Sequence, residues 1–178
     1  MVVPLEAGTI DVYDVASRRR LERLNVDGGS VLAAAFSPDG RLVTGGSEDG
    51  RVRVFSTEDW RPLAPAFQAH AGFVFGVEVS PDGRRLLTSG TDGQVRLWDR
   101  ATQRPIGAPL PGPRNVAAVA FFAHGGTHVY AVFANGRGYR WDVRFPAWNT
   151  HACGVAGRQL TRTEWAAVLP GRDYAPAC

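Results

Sequence analysis

Residues 37–56 read SPDGRLVTGGSEDGRVRVFS and residues 80–99 read SPDGRRLLTSGTDGQVRLWD. The two Ser-Pro-Asp-Gly tetrads begin at Ser37 and Ser80, a step of 43 residues. The turns Asp49-Gly50, Asp92-Gly93 and Asn135-Gly136 keep that step. So do Phe55, Trp98 and Trp141, and Asp11-Val12-Tyr13-Asp14 echoes the same ending upstream. Landmarks phased this way over most of the chain restrict it to a repeat array. In such an array a unit that cannot cover its own faces buries them against its neighbours.

Each unit carries strand signals joined by turn chemistry. In the clearest one, VFGVEV at 74–79 is apolar and rich in β-branched residues. Ser-Pro-Asp-Gly follows, with Pro at the second turn position and Gly at the fourth, which suits a type I turn. Residues 85–89 make the next strand, and Asp92-Gly93 suits a tight hairpin because both residues tolerate positive φ. Residues 94–98 alternate polar and apolar, so Val95 and Leu97 share a face. The segment 104–110 holds Pro105 and Pro109. Proline gives no ladder donor, so this segment is expected to be an outer edge strand. Four antiparallel strands per unit at this period describe a blade of a β-propeller.

These residues resemble the WD-repeat propellers. The likeness is carried by Ser-Pro-Asp-Gly, by Asp-Gly-x-Val-x-Leu-Trp-Asp and by His70, and it spans about residues 8–142. It implies an all-β fold, a partial WD-repeat β-propeller of about three blades plus part of another. The expected pieces are a blade fragment at 8–25, blades near 31–67, 74–110 and 116–142, and a tail at 143–178. The resemblance also implies a hydrogen-bonded network of His70, Thr88 or Ser89, Asp92 and Trp98. A buried Asp needs donors, and imidazole and hydroxyl groups supply them. The preceding unit has Asp27 and Phe55 where His and Trp would stand, and the following one has Gly112 and Asn135. Both are expected to lean on apolar packing instead. Thr9–Tyr13 is expected to be the third strand of a blade whose first two strands are missing, so the chain reads as the C-terminal part of a larger propeller.

Composition excludes several classes. All twenty basic residues are Arg, so a P-loop, which needs a Lys on the phosphates, is absent from this sequence. A net charge of +3 is small for a nucleic-acid binder. Neither an apolar run near the ~18 residues of a membrane span nor a signal-peptide pattern occurs, and the expected location is the cytoplasm. Cys153 and Cys178 read as free thiols there, and the sequence leaves a tail-closing disulfide between them open. His124, His128, His151 and Cys153 match no common zinc spacing, and no cofactor or metal is expected. His70, Asp92 and a hydroxyl superficially form a nucleophilic triad, but the hydroxyl sits in mid-strand with no oxyanion loop beside it. No enzyme is expected.

In the tail, Thr161-Arg162-Thr163-Glu164 fits a capping box opening a short helix, with Trp165, Val168 and Leu169 free to dock on the propeller. The string HACGVAGRQLTRTEW resembles the closing segment of bacterial WD-repeat proteins fused to NACHT-like signal-transduction NTPases. That likeness implies the sensor segment of such a regulator. The main expectation is a non-catalytic protein-binding or scaffold module. Its contact face, as the family resemblance implies, bears Asp27, Glu48, Phe73, Thr91, Arg114 and Asn135. Trp60 and Phe73 fall in connections where an aromatic can anchor a partner. Open blade edges add an expectation of self-association.

Overall fold

The computed structural model describes residues 1–144 and 161–164, apart from the side chains of Val43 and Thr44. Met1–Trp141 forms one compact unit and Asp142–Cys178 a second. The first unit is four antiparallel sheets in chain order. The first sheet holds β1 (Val2–Leu5), β2 (Thr9–Tyr13) and β3 (Arg20–Asn25). The second holds β4 (Val31–Phe36), β5 (Leu42–Ser47), β6 (Arg51–Ser56) and the two-residue β7 (Phe67–Gln68). β8 (Val74–Val79), β9 (Arg85–Gly90) and β10 (Val95–Asp99) make the third. β11 (Ala118–Ala123), β12 (His128–Phe133) and β13 (Gly138–Asp142) make the fourth. Helix is confined, among the described residues, to a 3-10 turn at His124–Gly126 and to residues 162–164. This nearly all-β array is the partial WD-repeat propeller expected.

Two strand expectations need correction. The first sheet has its second strand, because Val2–Leu5 pairs with β2 from Val2↔Val12 to Leu5↔Thr9. The turn glycine Gly8 falls 42 residues before Gly50, one short of the later step, which hides β1 in the sequence. The segment 104–110 is not a strand. It meets β10 only through isolated bridges, Trp98↔Pro105 and Val95↔Leu110, because its prolines interrupt the donor row. The third sheet is therefore three-stranded, and only the second sheet has four strands.

The sheets bury their faces on one another, and the leading strands touch in succession: β1 on β4, β4 on β8, β8 on β11. Between the first two sheets lie Ile10, Val12, Leu24, Val31 and Phe55. Val52, Val54, Val74, Val77, Leu86 and Trp98 fill the next gap. β6 is thus buried on both faces, Val52 and Val54 looking forward and Phe55 looking back. The turn glycines explain the close stacking. A Cβ at Gly50 would lie 2.3 Å from the His70 carbonyl oxygen, and one at Gly93 would lie 2.4 Å from that of Pro113. Both also hold positive φ, of 76° and 73°, so space and conformation require the same residue.

Candidate functional site

The third sheet contains a closed polar network. His70 enters from the connection ahead of β8 and is buried, as is Thr88 on β9. His70 Nδ1 lies 2.9 Å from Asp92 Oδ1, and Nε2 lies 2.8 Å from Thr88 Oγ1. Trp98 Nε1 donates to the same hydroxyl at 2.9 Å. One tautomer satisfies every group. Nδ1–H donates to the carboxylate, the Thr88 hydroxyl donates to Nε2, and the indole donates to Thr88. Asp92 also accepts the N–H groups of Ala71 and Gln94. Burial and the nearby Arg96 charge hold His70 below its ordinary pKa against the pull of Asp92, so the ring is neutral near pH 7. Burial pushes the Asp92 carboxyl up, but its hydrogen bonds outweigh that and keep it below the usual range.

Of the two hydroxyls expected to serve this network, Thr88 does. Ser89 points the other way, where its Oγ accepts the Ala120 N–H at 3.2 Å and ties the third sheet to the fourth. Glu78 does the same for Phe122 at 2.7 Å.

The expectation of mainly apolar packing in the second sheet is corrected by Arg53. This buried guanidinium donates to Ser47 Oγ at 3.1 Å, to Asp49 Oδ2 at 3.0 Å and to the Asp27 carbonyl. Ser47 donates in turn to Asp49 Oδ1 at 2.6 Å. A cation on β6 has replaced an imidazole from the loop. Charge at the third residue after a turn glycine recurs along the array. Asp11 holds that place in the first sheet, gripped by Arg23 at 2.6 and 2.7 Å. The Arg23 hydrogen bonds draw the Asp11 carboxyl down to about 2. The fourth sheet is apolar, as expected. Phe133 takes the place of Gly90, and a Cβ at Gly112 would meet its ring at 2.5 Å.

The six residues expected on the contact face lie in two kinds of segment. Glu48, Thr91 and Asn135 are in the turns joining second to third strands, and Asp27, Phe73 and Arg114 are in the connections entering first strands. The antiparallel order puts both kinds at one end of the sheets. Thr91 N–H donates to the Phe73 carbonyl at 3.0 Å, and Glu48 Oε2 accepts the Ser30 N–H at 3.2 Å. Phe73 is 44% exposed. Phe75 is 38% exposed, and the sequence reading missed it. The register shifts between Val74 and Gly76, and this bulge turns Phe75 out of the alternation that a run of apolar residues implies. Trp60 instead packs against the core between the first two sheets, and its φ of 60° marks a tight turn.

No group of three or more His, Cys, Asp or Glu residues able to hold a metal occurs among the described residues. His124 and His128 stack edge to face at 5.1 Å. His151, Cys153, Cys178 and the docking residues Trp165, Val168 and Leu169 lie outside the described residues. The capping box is formed: Thr161 Oγ1 accepts the Glu164 N–H at 3.2 Å, and Glu164 Oε2 accepts the Thr161 N–H at 2.9 Å.

A search of curated proteins finds no match to the chain. The family described as WD domain, G-beta repeat matches residues 20–56 and 61–99. The match gives no support to the NACHT-like likeness of the tail. Residues 20–56 and 61–99 are thus WD40 repeats, set in an all-β array with the architecture of a WD-repeat propeller.

Proposed function

We propose that the chain is a non-catalytic protein-binding or scaffold module that meets its partner through the turn end of its sheets. WD40 repeats are generally interaction modules, and the buried side chains of Asp11, Arg53, His70 and Thr88 are spent on internal hydrogen bonds. The observation that carries the reading is the exposed pair Phe73 and Phe75 beside the Thr91 turn. Two large rings left half-open next to rigid, hydrogen-bonded backbone are suited to anchoring a protein surface. Asp27, Glu48, Arg114 and Asn135 supply a polar rim of both signs. The test is affinity capture with the chain carrying substitutions at Asp27, Glu48, Phe73, Thr91, Arg114 and Asn135 together. Loss of the proteins held by the unsubstituted chain supports the assignment, and an unchanged set of captured proteins removes it.

A second reading makes the chain the sensor segment of a bacterial signal-transduction NTPase and a piece of a longer propeller. It rests on the tail string HACGVAGRQLTRTEW. An in-frame Walker motif and further Ser-Pro-Asp-Gly units in the DNA upstream of Met1 would favour it.

A further inference from the structure

Four turns and three connections lie side by side at the turn end of the sheets. They are the turns at 6–8, 48–50, 91–93 and 134–136 and the connections at 26–30, 69–73 and 111–117. Close contacts at glycines fix their order. Gly8 stands against Gly29, Gly28 against Asp49, and Gly50 against His70. Gly72 then meets Thr91, and Gly93 meets Pro113 and Arg114. The Ala134 N–H donates to the Ala117 carbonyl at 2.8 Å and closes the series. Turns and connections therefore alternate across this end, and the connection that holds Phe73 is the middle one.

Charge changes sign along that order. The segments before Phe73 carry Glu6, Asp27 and Glu48. Those after it carry Thr91, Arg114 and the Asn135 turn with Arg137 beside it. Glu6, Asp27, Arg114 and Arg137 are exposed. Among the described residues neither these four nor Glu48 makes an ion pair. Deeper in the same turns Asp49 faces Arg53 and Asp92 faces His70, so both are already partnered. Arg51 interrupts the acidic side at its outer margin, with its Nε 3.4 Å from Gln68 Oε1 of β7.

This order is complementary to itself. A second copy turned through a half-rotation about an axis along the Phe73 connection meets the first in reverse order. Glu6 of one copy then faces Arg137 of the other, Asp27 faces Arg114, Glu48 faces the Thr91 hydroxyl, and Phe73 meets its own counterpart at the axis. Every pair occurs twice, as an isologous contact requires. Packed sheets stand about 10 Å apart, beyond the Debye length of about 8 Å at physiological salt, so each pair counts on its own sign. A partner of one sign would match only half of the surface, and a copy set down in the same order would put like on like. We propose that two copies of the chain dock turn end to turn end in this two-fold arrangement. The proposal rests on the turn end being the contact face and names a second copy as what that face meets.

Sedimentation equilibrium on the full chain tests it. The chain is expected to form a dimer that weakens as salt rises. Glu6→Arg with Asp27→Arg, and separately Arg114→Glu with Arg137→Glu, should each weaken the dimer about tenfold or more with unchanged melting curves. An equimolar mixture of the two variants should recover it, because each reversed half then meets its opposite. Phe73→Ser should weaken the dimer and leave its salt dependence as it was. A monomer up to about 0.5 mM, a dimer indifferent to both charge reversals, or a mixture that recovers nothing overturns the proposal. Where the dimer fails, affinity capture separates the two readings. A captured set that depends on the six contact-face residues leaves the face standing with another occupant, and an unchanged set removes the face as well.

Discussion

The second and third sheets solve one packing problem with different chemistry. Behind each of their tight turns is a space bounded by the turn carboxylate, a strand hydroxyl and the connection that enters the sheet's first strand. In the third sheet an imidazole descends from that loop and meets Thr88 and Asp92. In the second a guanidinium rises from β6 and meets Ser47, Asp49 and the Asp27 carbonyl. The fourth sheet fills its counterpart with the Phe133 ring and no hydrogen bonds. What the repeat preserves is the volume behind the turn, with hydrogen bonds to the imidazole or guanidinium that enters it in the third and second sheets. The residue type is free to change.

If volume is the common requirement, the largest loss should follow from emptying the space in the fourth sheet. Phe133 is buried, so Phe133→Ala is expected to cost about 4 kcal/mol in chemical denaturation, the range for truncating a core aromatic. A cost near that of a surface change would show that Phe133 is not the counterpart of His70. Thr88→Val comes next. It keeps the shape but strands both the Trp98 indole N–H and His70 Nε2, at an expected cost of about 3 kcal/mol. Arg53→Leu should cost about 2 kcal/mol, because Asp49 and the Asp27 carbonyl keep partial access to water. Arg53→Lys should recover little of that, since one ammonium cannot reach three acceptors held by a planar fork. Full rescue by Lys would mean that charge alone, not the fork geometry, matters in the second sheet.

The same contrast explains what could be read from the chain before its structure. His70, Asp92 and Trp98 stand in the best-formed repeat, so the resemblance to WD repeats carried their network onto these positions. The Arg53 network was not. It forms across the turn from a residue whose alternation marks it as just another outward arginine, and Arg96, in the same place one repeat later, lies over the Trp98 ring instead. β1 escaped because the first turn lacks Asp-Gly and sits one residue out of step. Thr88 and Ser89 were indistinguishable because adjacent strand residues differ only in the face they serve. The outward turn of Phe75 depends on a bulge, which periodicity does not record.

The smallest expected effect concerns the link between the third and fourth sheets, where the two acceptors, Ser89 and Glu78, differ in kind. Burial raises the Glu78 carboxyl above its ordinary pKa, against the Phe122 N–H that favours the ionised form. The folded protein therefore holds that proton more tightly than the unfolded chain. The contribution of Glu78 to stability is complete below the ordinary glutamate value of about 4.3 and is lost as pH rises through the raised folded value. Glu78→Gln keeps an oxygen for Phe122 and cannot ionise. Near neutral pH the variant should equal or exceed the native chain by no more than about 1 kcal/mol, because the site is only half-buried. Below about pH 4 the difference should disappear, since both side chains are then neutral. A stability difference that does not change with pH would assign the effect to side-chain shape, and the two sheets would then be joined by hydrogen-bond geometry without any electrostatic cost.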